Sequence, residues 1–186
     1  MAKRLDQILV IDLEATCWEG QPPEGQDNEI IEIGLCMLDV ATGQRLENPS
    51  IIVRPVHSTV SAYCTELTTL TQEQVETGVS LEAACQTLET RYLSKERLWA
   101  SYGDYDRWQF QKQCAALGLD YPFGHGHLNV KTLLAVAHNL PRELALDEAM
   151  AHLGYPLEGT HHRGGDDAWN IARILGQLLR TMRQPR

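Results

Sequence analysis

Two carboxylates, Asp12 and Glu14, interrupt the otherwise apolar run Ile8-Leu9-Val10-Ile11-Asp12-Leu13-Glu14. The run is rich in β-branched residues and short enough to be a buried strand. Successive strand side chains alternate faces, so these two acids point the same way. Two like charges side by side in a buried element are costly unless something compensates them. A divalent cation does so directly, because hard cations take oxygen ligands. The plainer alternative is a strand that frays here and leaves both acids in water.

The rest of the chain restricts the classes open to it. Its 186 residues fit one domain, expected over 1–186, since no interior linker breaks the pattern. The net charge of −9 argues against a protein that grips long duplexes, which normally needs a basic footprint. An acidic protein can still act on a strand end if metal ions supply the local positive charge. Five cysteines (Cys17, Cys36, Cys64, Cys85, Cys114), with no C-x-x-C pair, offer neither a disulfide framework nor a structural zinc site. No run has the roughly 18–20 apolar residues of a membrane span. A cytoplasmic protein with reduced thiols and no membrane contact is expected.

Further strands are expected at Ile30–Leu38 and Ser50–Arg54, which with the first make an antiparallel meander. Thr71-x-x-Gln74 reads as a capping box, and Ser80 opens a helix through Tyr92. Leu98–Tyr102 reads as a fourth strand, followed by a helix from about 104 to 117. A short strand near His127–Val130 leads into a helix ending before Pro141, then helices at Leu144–Leu153 and Gly165–Met182. Hairpins followed by alternating strands and helices describe an α/β protein, a mixed sheet with helices on both faces. Trp108 and Phe110 are expected to pack into the core.

Two other stations carry acids. In Gly103-Asp104-Tyr105-Asp106, Asp104 is placed to cap a helix, which leaves Asp106 without a structural task. In His161-His162-Arg163-Gly164-Gly165-Asp166-Asp167, Asp167 falls on the edge of the last helix's apolar stripe, whereas Asp166 points to solvent as a favourable N-terminal charge. A histidine before that helix, on a backbone that Gly164 and Gly165 let bend or move, is a natural general base. His161 is expected to be an exposed loop residue. Four carboxylates and one histidine suit two cations aligning water for in-line phosphoryl displacement, a two-metal phosphodiesterase.

These residues resemble a known family. Val10-Ile11-Asp12-Leu13-Glu14-Ala15-Thr16-Cys17-Trp18, Tyr105-Asp106 and His162-x-x-x-x-Asp167 look like the three motifs of the DEDDh group of 3′→5′ exonucleases. The wider pattern, including Cys64–Gln72 and Gly165–Ala172, is similar to the Eri-1-like branch, which includes the animal histone-mRNA 3′ exonuclease and stand-alone bacterial members. The resemblance implies a ribonuclease-H-like fold. It implies Asp12, Glu14, Asp106 and Asp167 as ligands of two Mg²⁺ ions, with Mn²⁺ substituting, and His162 as general base. Leu13, Ala15, Thr16, Cys17 and Leu67 would line the pocket for the terminal nucleotide of a single-stranded RNA or DNA 3′ end. Tyr102 stands where the family often has asparagine, so no side-chain bond is carried over from that position. Nor is stem-loop recognition, which in the histone-mRNA enzyme involves an added domain. The competing readings are a nuclease confined to very short oligonucleotides and a non-catalytic module that binds nucleic-acid ends or a polymerase.

Overall fold

Strand β1 (Arg4–Ala15) lies at the centre of the sheet and is apolar on both faces because helices cover both. The computed structural model describes residues 4–183, and the first and last three residues of the expected 1–186 domain lie outside it. Antiparallel to β1 runs β2 (Ile30–Asp39), followed outward by β3 (Ser50–Ile52). On the other side β4 (Arg97–Ser101) and β5 (His127–Asn129) run parallel, giving the order β3-β2-β1-β4-β5. The expected antiparallel meander and mixed sheet are both present.

Strand alternation sorts the core. Leu9, Ile11 and Leu13 face one layer, with Ile33, Leu35 and Met37 opposite them on β2. That layer is covered by α3 (Leu81–Arg91) and α4 (Tyr105–Ala116). Ile8 and Val10 face the other layer, beside Leu38 and Cys36. Here α5 (Val130–Ala137), α6 (Leu146–His152) and α7 (Gly164–Arg183) supply the cover. Asp12 and Glu14 continue this second face, opposite Gly34 and Glu32. The alternation that buries Ile8 and Val10 beneath α7 therefore aims both acids at the start of the same helix.

The short helices α1 (Ala62–Thr68) and α2 (Gln72–Glu76) close over Ile31 at the β2 side. Ser61 caps α1 by accepting from the Cys64 N–H, and Thr71 with Gln74 forms the expected capping box of α2. Phe110 is fully buried as expected, but Trp108 is 60% exposed on α4, because its position in the helix faces away from the sheet. Asp104 occupies the N-cap position without a capping bond. Its carboxylate instead takes a hydrogen bond from Asn129 at 3.1 Å and an ion pair from Arg107 at 3.0 Å.

The contact that seats α7 is made by glycines. A Cβ on Gly34 would fall 1.8 Å from the Gly164 carbonyl carbon, and one on Gly164 would fall 2.9 Å from the Gly34 nitrogen. The Gly164-Gly165 pair thus serves close backbone approach, where the sequence suggested a flexible bend. The left-handed residue is His162, with φ of 62°. Gly34→Ala should cost about 3 kcal/mol or more, since backbone on both sides must part. A denaturant titration checks this, and a variant as stable as the parent would show that α7 does not rest where described.

Candidate active site

The three sequence stations meet at the C-terminal half of β1. Carboxylate oxygens of Asp12, Glu14 and Asp167 lie within 4.8 Å of one another, a spacing at which one cation can be shared. Asp106 reaches the group from the first turn of α4, which follows the strand parallel to β1. Its Oδ1 accepts the Leu13 N–H at 2.9 Å, locking its carboxylate beside the backbone between Asp12 and Glu14. Glu14, Asp106 and Asp167 are buried, while Asp12 keeps an opening to solvent.

The histidine loop sits on Asp167. The His162 backbone N–H donates to Asp167 Oδ2 at 2.8 Å, and His161 Nδ1 lies 3.0 and 3.1 Å from the two carboxylate oxygens. The imidazoles of His161 and His162 stack with centroids 4.0 Å apart. His161 is therefore a half-buried partner of Asp167, not the exposed loop residue that the sequence suggested. The left-handed turn at His162 folds the loop back over the helix start and brings the His161 ring inward.

A fifth acid stands in the group. Glu32, fully buried, lies directly across from Glu14 on β2. Arg163 Nε and Nη2 grip its two oxygens at 3.1 Å each, and the Gly164 N–H donates to it at 3.0 Å. A carboxylate on a strand thus caps the N-terminus of α7, where the helix dipole favours negative charge. Arg163 also reaches the Thr69 hydroxyl at the end of α1, 3.4 Å away. Sequence reading missed Glu32 and Arg163. The signal was available, since Glu32 is an acid inside an apolar strand, as Asp12 is.

Burial first, then mutual repulsion, shapes the titration of these groups. Asp12 is raised well above the usual carboxylate range by loss of hydration and by the charges of Asp106, Glu14, Asp167 and Glu32. Glu14 is pushed up to about 8 by the same causes, and Asp106 to about 6, where hydrogen bonds from backbone N–H groups and Ser101 partly offset burial. Asp167 is raised less, because His161 and the His162 N–H stabilise its charge. His162 is lowered by burial and by neighbouring His161, so its imidazole is neutral at pH 7. Repelling carboxylates with converging oxygens suit a hard divalent cation, so the donor set fits a metal.

The remaining expected site residues fall nearby in unequal ways. Leu13 and Thr16 are buried, and the Thr16 hydroxyl accepts the Glu29 N–H and donates to the Asp27 carbonyl. Ala15 is buried at the strand's end, and Cys17 and Leu67 are partly exposed. The Cys17 carbonyl is tied to α1 by the Ser61 hydroxyl at 2.6 Å. Tyr102 points elsewhere, donating to the Leu144 carbonyl at 3.0 Å.

A central strand with two acids, a parallel neighbour leading to a third and a closing helix with a fourth define the class as a ribonuclease-H-like nuclease. The exonuclease (RNase T) family model matches residues 9–175, and the chain belongs to that family. It is 28% identical over 195 residues to the 3′-5′ exonuclease Snipper of Drosophila melanogaster, covering 93% of this chain and 69% of that protein. It is 31% identical over 185 residues to human 3′-5′ exoribonuclease 1, covering 94% of this chain and 52% of that protein. The chain thus spans about half the length of the human relative. Among solved structures, the nuclease domain of 3′hExo, a DEDDh family member bound to rAMP, matches with a TM-score of 0.85 and 30% identity, covering 100% of this chain and 98% of that one. The chain is homologous to the DEDDh 3′→5′ exonucleases and is an enzyme of that class, which depends on divalent metal. No described helix is long and apolar enough to cross a membrane.

The raised carboxyls fix the sign of a pH effect. Between about pH 4.5 and 8, folded Glu14 keeps a proton that the unfolded chain has released, and Asp106 does so up to about 6. Stability in chelator should therefore be greatest in mild acid and fall as the pH rises towards 8. Magnesium should flatten the decline, and Glu14→Gln should remove much of it. Melting temperatures across this range in chelator check the point, and a midpoint that climbs from pH 5 to 8 would contradict it.

Proposed function

We propose that this chain removes nucleotides one at a time from the 3′ end of single-stranded RNA or DNA, releasing nucleoside 5′-monophosphates. The observation that carries the reading is the convergence of Asp12, Glu14 and Asp167 within 4.8 Å, with Asp106 held beside them by the Leu13 N–H. These four would hold two Mg²⁺ ions, or Mn²⁺ in their place, with Asp12 and its opening to solvent on the substrate side. When bound, such ions polarise the phosphodiester and lower the pKa of water. The names of the relatives, exoribonucleases among them, favour RNA.

His162 is the proposed general base. Its lowered pKa keeps the ring neutral and able to take the proton of the attacking water. Water oxygen bonds to phosphorus while the bond from phosphorus to the 3′ oxygen of the preceding nucleotide breaks. The protonated imidazole or solvent returns a proton to that oxygen. His161, bound to Asp167, orients the neighbouring ring by stacking. The terminal nucleotide would lie between the end of β1, over Leu13, Ala15, Thr16 and Cys17, and Leu67 on α1. Leu13 and Thr16 would contribute backbone, because their side chains are buried. The five free thiols, four of them buried, suit a reducing cytoplasm.

A time course on 5′-labelled single-stranded RNA and its DNA counterpart tests the proposal. The expected result is a ladder shortening from the 3′ end, abolished by chelator and by Asp12→Ala. His162→Ala should lower the rate by roughly 10²–10⁴ with metal binding retained, and His161→Ala should cost less. Damage in the reverse order would exchange the histidines' roles. Strands left intact with either metal would confine the enzyme to very short oligonucleotides or to binding.

A further inference from the structure

Across α7 from Asp167 lies a cavity of about 360 Å³ lined by the 43–45 segment, Tyr155, Trp169, Arg173 and Arg180. Trp169 follows Asp167 by two residues, roughly 200° around the helix, so the cavity and the acid cluster occupy different faces. The cavity's size falls in the range of small-ligand sites.

Its chemistry is opposite to that of the acid cluster. The Arg45 guanidinium lies 4.1 Å over the Trp169 ring, and that of Arg173 lies 3.9 Å over Tyr155. These contacts hold both planar groups in fixed orientations. Glu158 bonds Arg45 at 3.1 Å, and it also bonds Arg173 and the Trp169 indole N–H. Arg180 donates to two neutral acceptors, the Gly43 carbonyl at 3.2 Å and the Gln177 amide oxygen at 3.1 Å. Three guanidiniums face one carboxylate, which leaves two positive charges in excess on a chain whose net charge is −9.

The floor is made by close backbone packing. Gly43 has φ of 69°, and a Cβ on Gly176 would fall 2.8 Å from its carbonyl oxygen, so the β2–β3 loop packs against α7 at backbone distance. Preordered guanidiniums, surplus positive charge and a pocket of this size suit a phosphate group, since arginine offers paired N–H donors to its oxygens.

We infer that this cavity is a second binding site, distinct from the catalytic acids, for the phosphate of a nucleotide, either free or within a single strand. The site stands whether or not the hydrolytic reading holds.

The test is calorimetric titration of the full chain, in excess chelator, with adenosine 5′-monophosphate and with a short single-stranded RNA. Chelator removes the metal through which the acid cluster would hold a phosphate, so binding that is lost in Arg180→Gln reports the arginine cavity. Saturable binding is expected, weakened about tenfold or more by Arg180→Gln through loss of a charge-assisted bond. Arg45→Gln should act in the same direction. Arg91→Gln, which removes an exposed charge on α3 outside the cavity's lining, should leave the affinity unchanged. Arg180 is exposed, so its variant should stay folded even if Arg45→Gln does not, and melting curves check both. An RNA that binds more tightly than the mononucleotide and competes with it identifies a strand path. Equal affinities identify a free-nucleotide site. Absence of saturable binding, or equal losses in Arg180→Gln and Arg91→Gln, would overturn the inference.

Discussion

The seating of α7 on β2 is the constraint on which the site depends. Gly34 and Gly164 bring helix and strand into backbone contact, and Glu32 fastens that contact by holding both Arg163 and the first N–H of the helix. Asp167 lies less than one turn beyond this anchor, so its position relative to Asp12 and Glu14 follows from it. The same anchor sets the loop, because Arg163 is the residue after His162. Removing Arg163 would leave the charge of the buried Glu32 uncompensated, at a cost of up to about 3–5 kcal/mol. The pair is thus a poor place for variation.

The acid cluster works against the fold that carries it. Burial raises Asp12, Glu14 and Asp106, and repulsion adds to it for the first two, so their ionised forms are destabilised in the metal-free chain. Arg163 is committed to Glu32 and relieves only part of this. Strain of this kind is common where function needs charge in a place that packing would leave apolar. The apolar layers on both faces of β1 supply the stability that tolerates it.

Much of this was legible in the sequence, for identifiable reasons. Asp12 and Glu14 stood out because a buried strand gives acids no ordinary purpose, and the period of the last helix separated Asp167 from Asp166. Glu32 offered the same signal but lies outside the motifs, and its partner Arg163 is 131 residues away, a pairing that only the fold reveals. The short helix α1 is not legible in the sequence, because its seven residues, two of them threonine, show too little periodicity. The partnership of His161 with Asp167 is not legible in the sequence, because it comes with a left-handed residue at His162 that nothing in the histidine pair announces. Local sequence makes Asp104 a cap, whereas in the fold Asn129 and Arg107 claim its carboxylate.

On the proposed reading these acids form a cation site at the junction of β1, α4 and α7. Crystals soaked in manganese and measured for anomalous scattering test it most directly. Two peaks bounded by Asp12, Glu14, Asp106 and Asp167 are expected, with neither present in Asp12→Ala. Peaks only at the histidine pair, or none at saturating manganese, would contradict it.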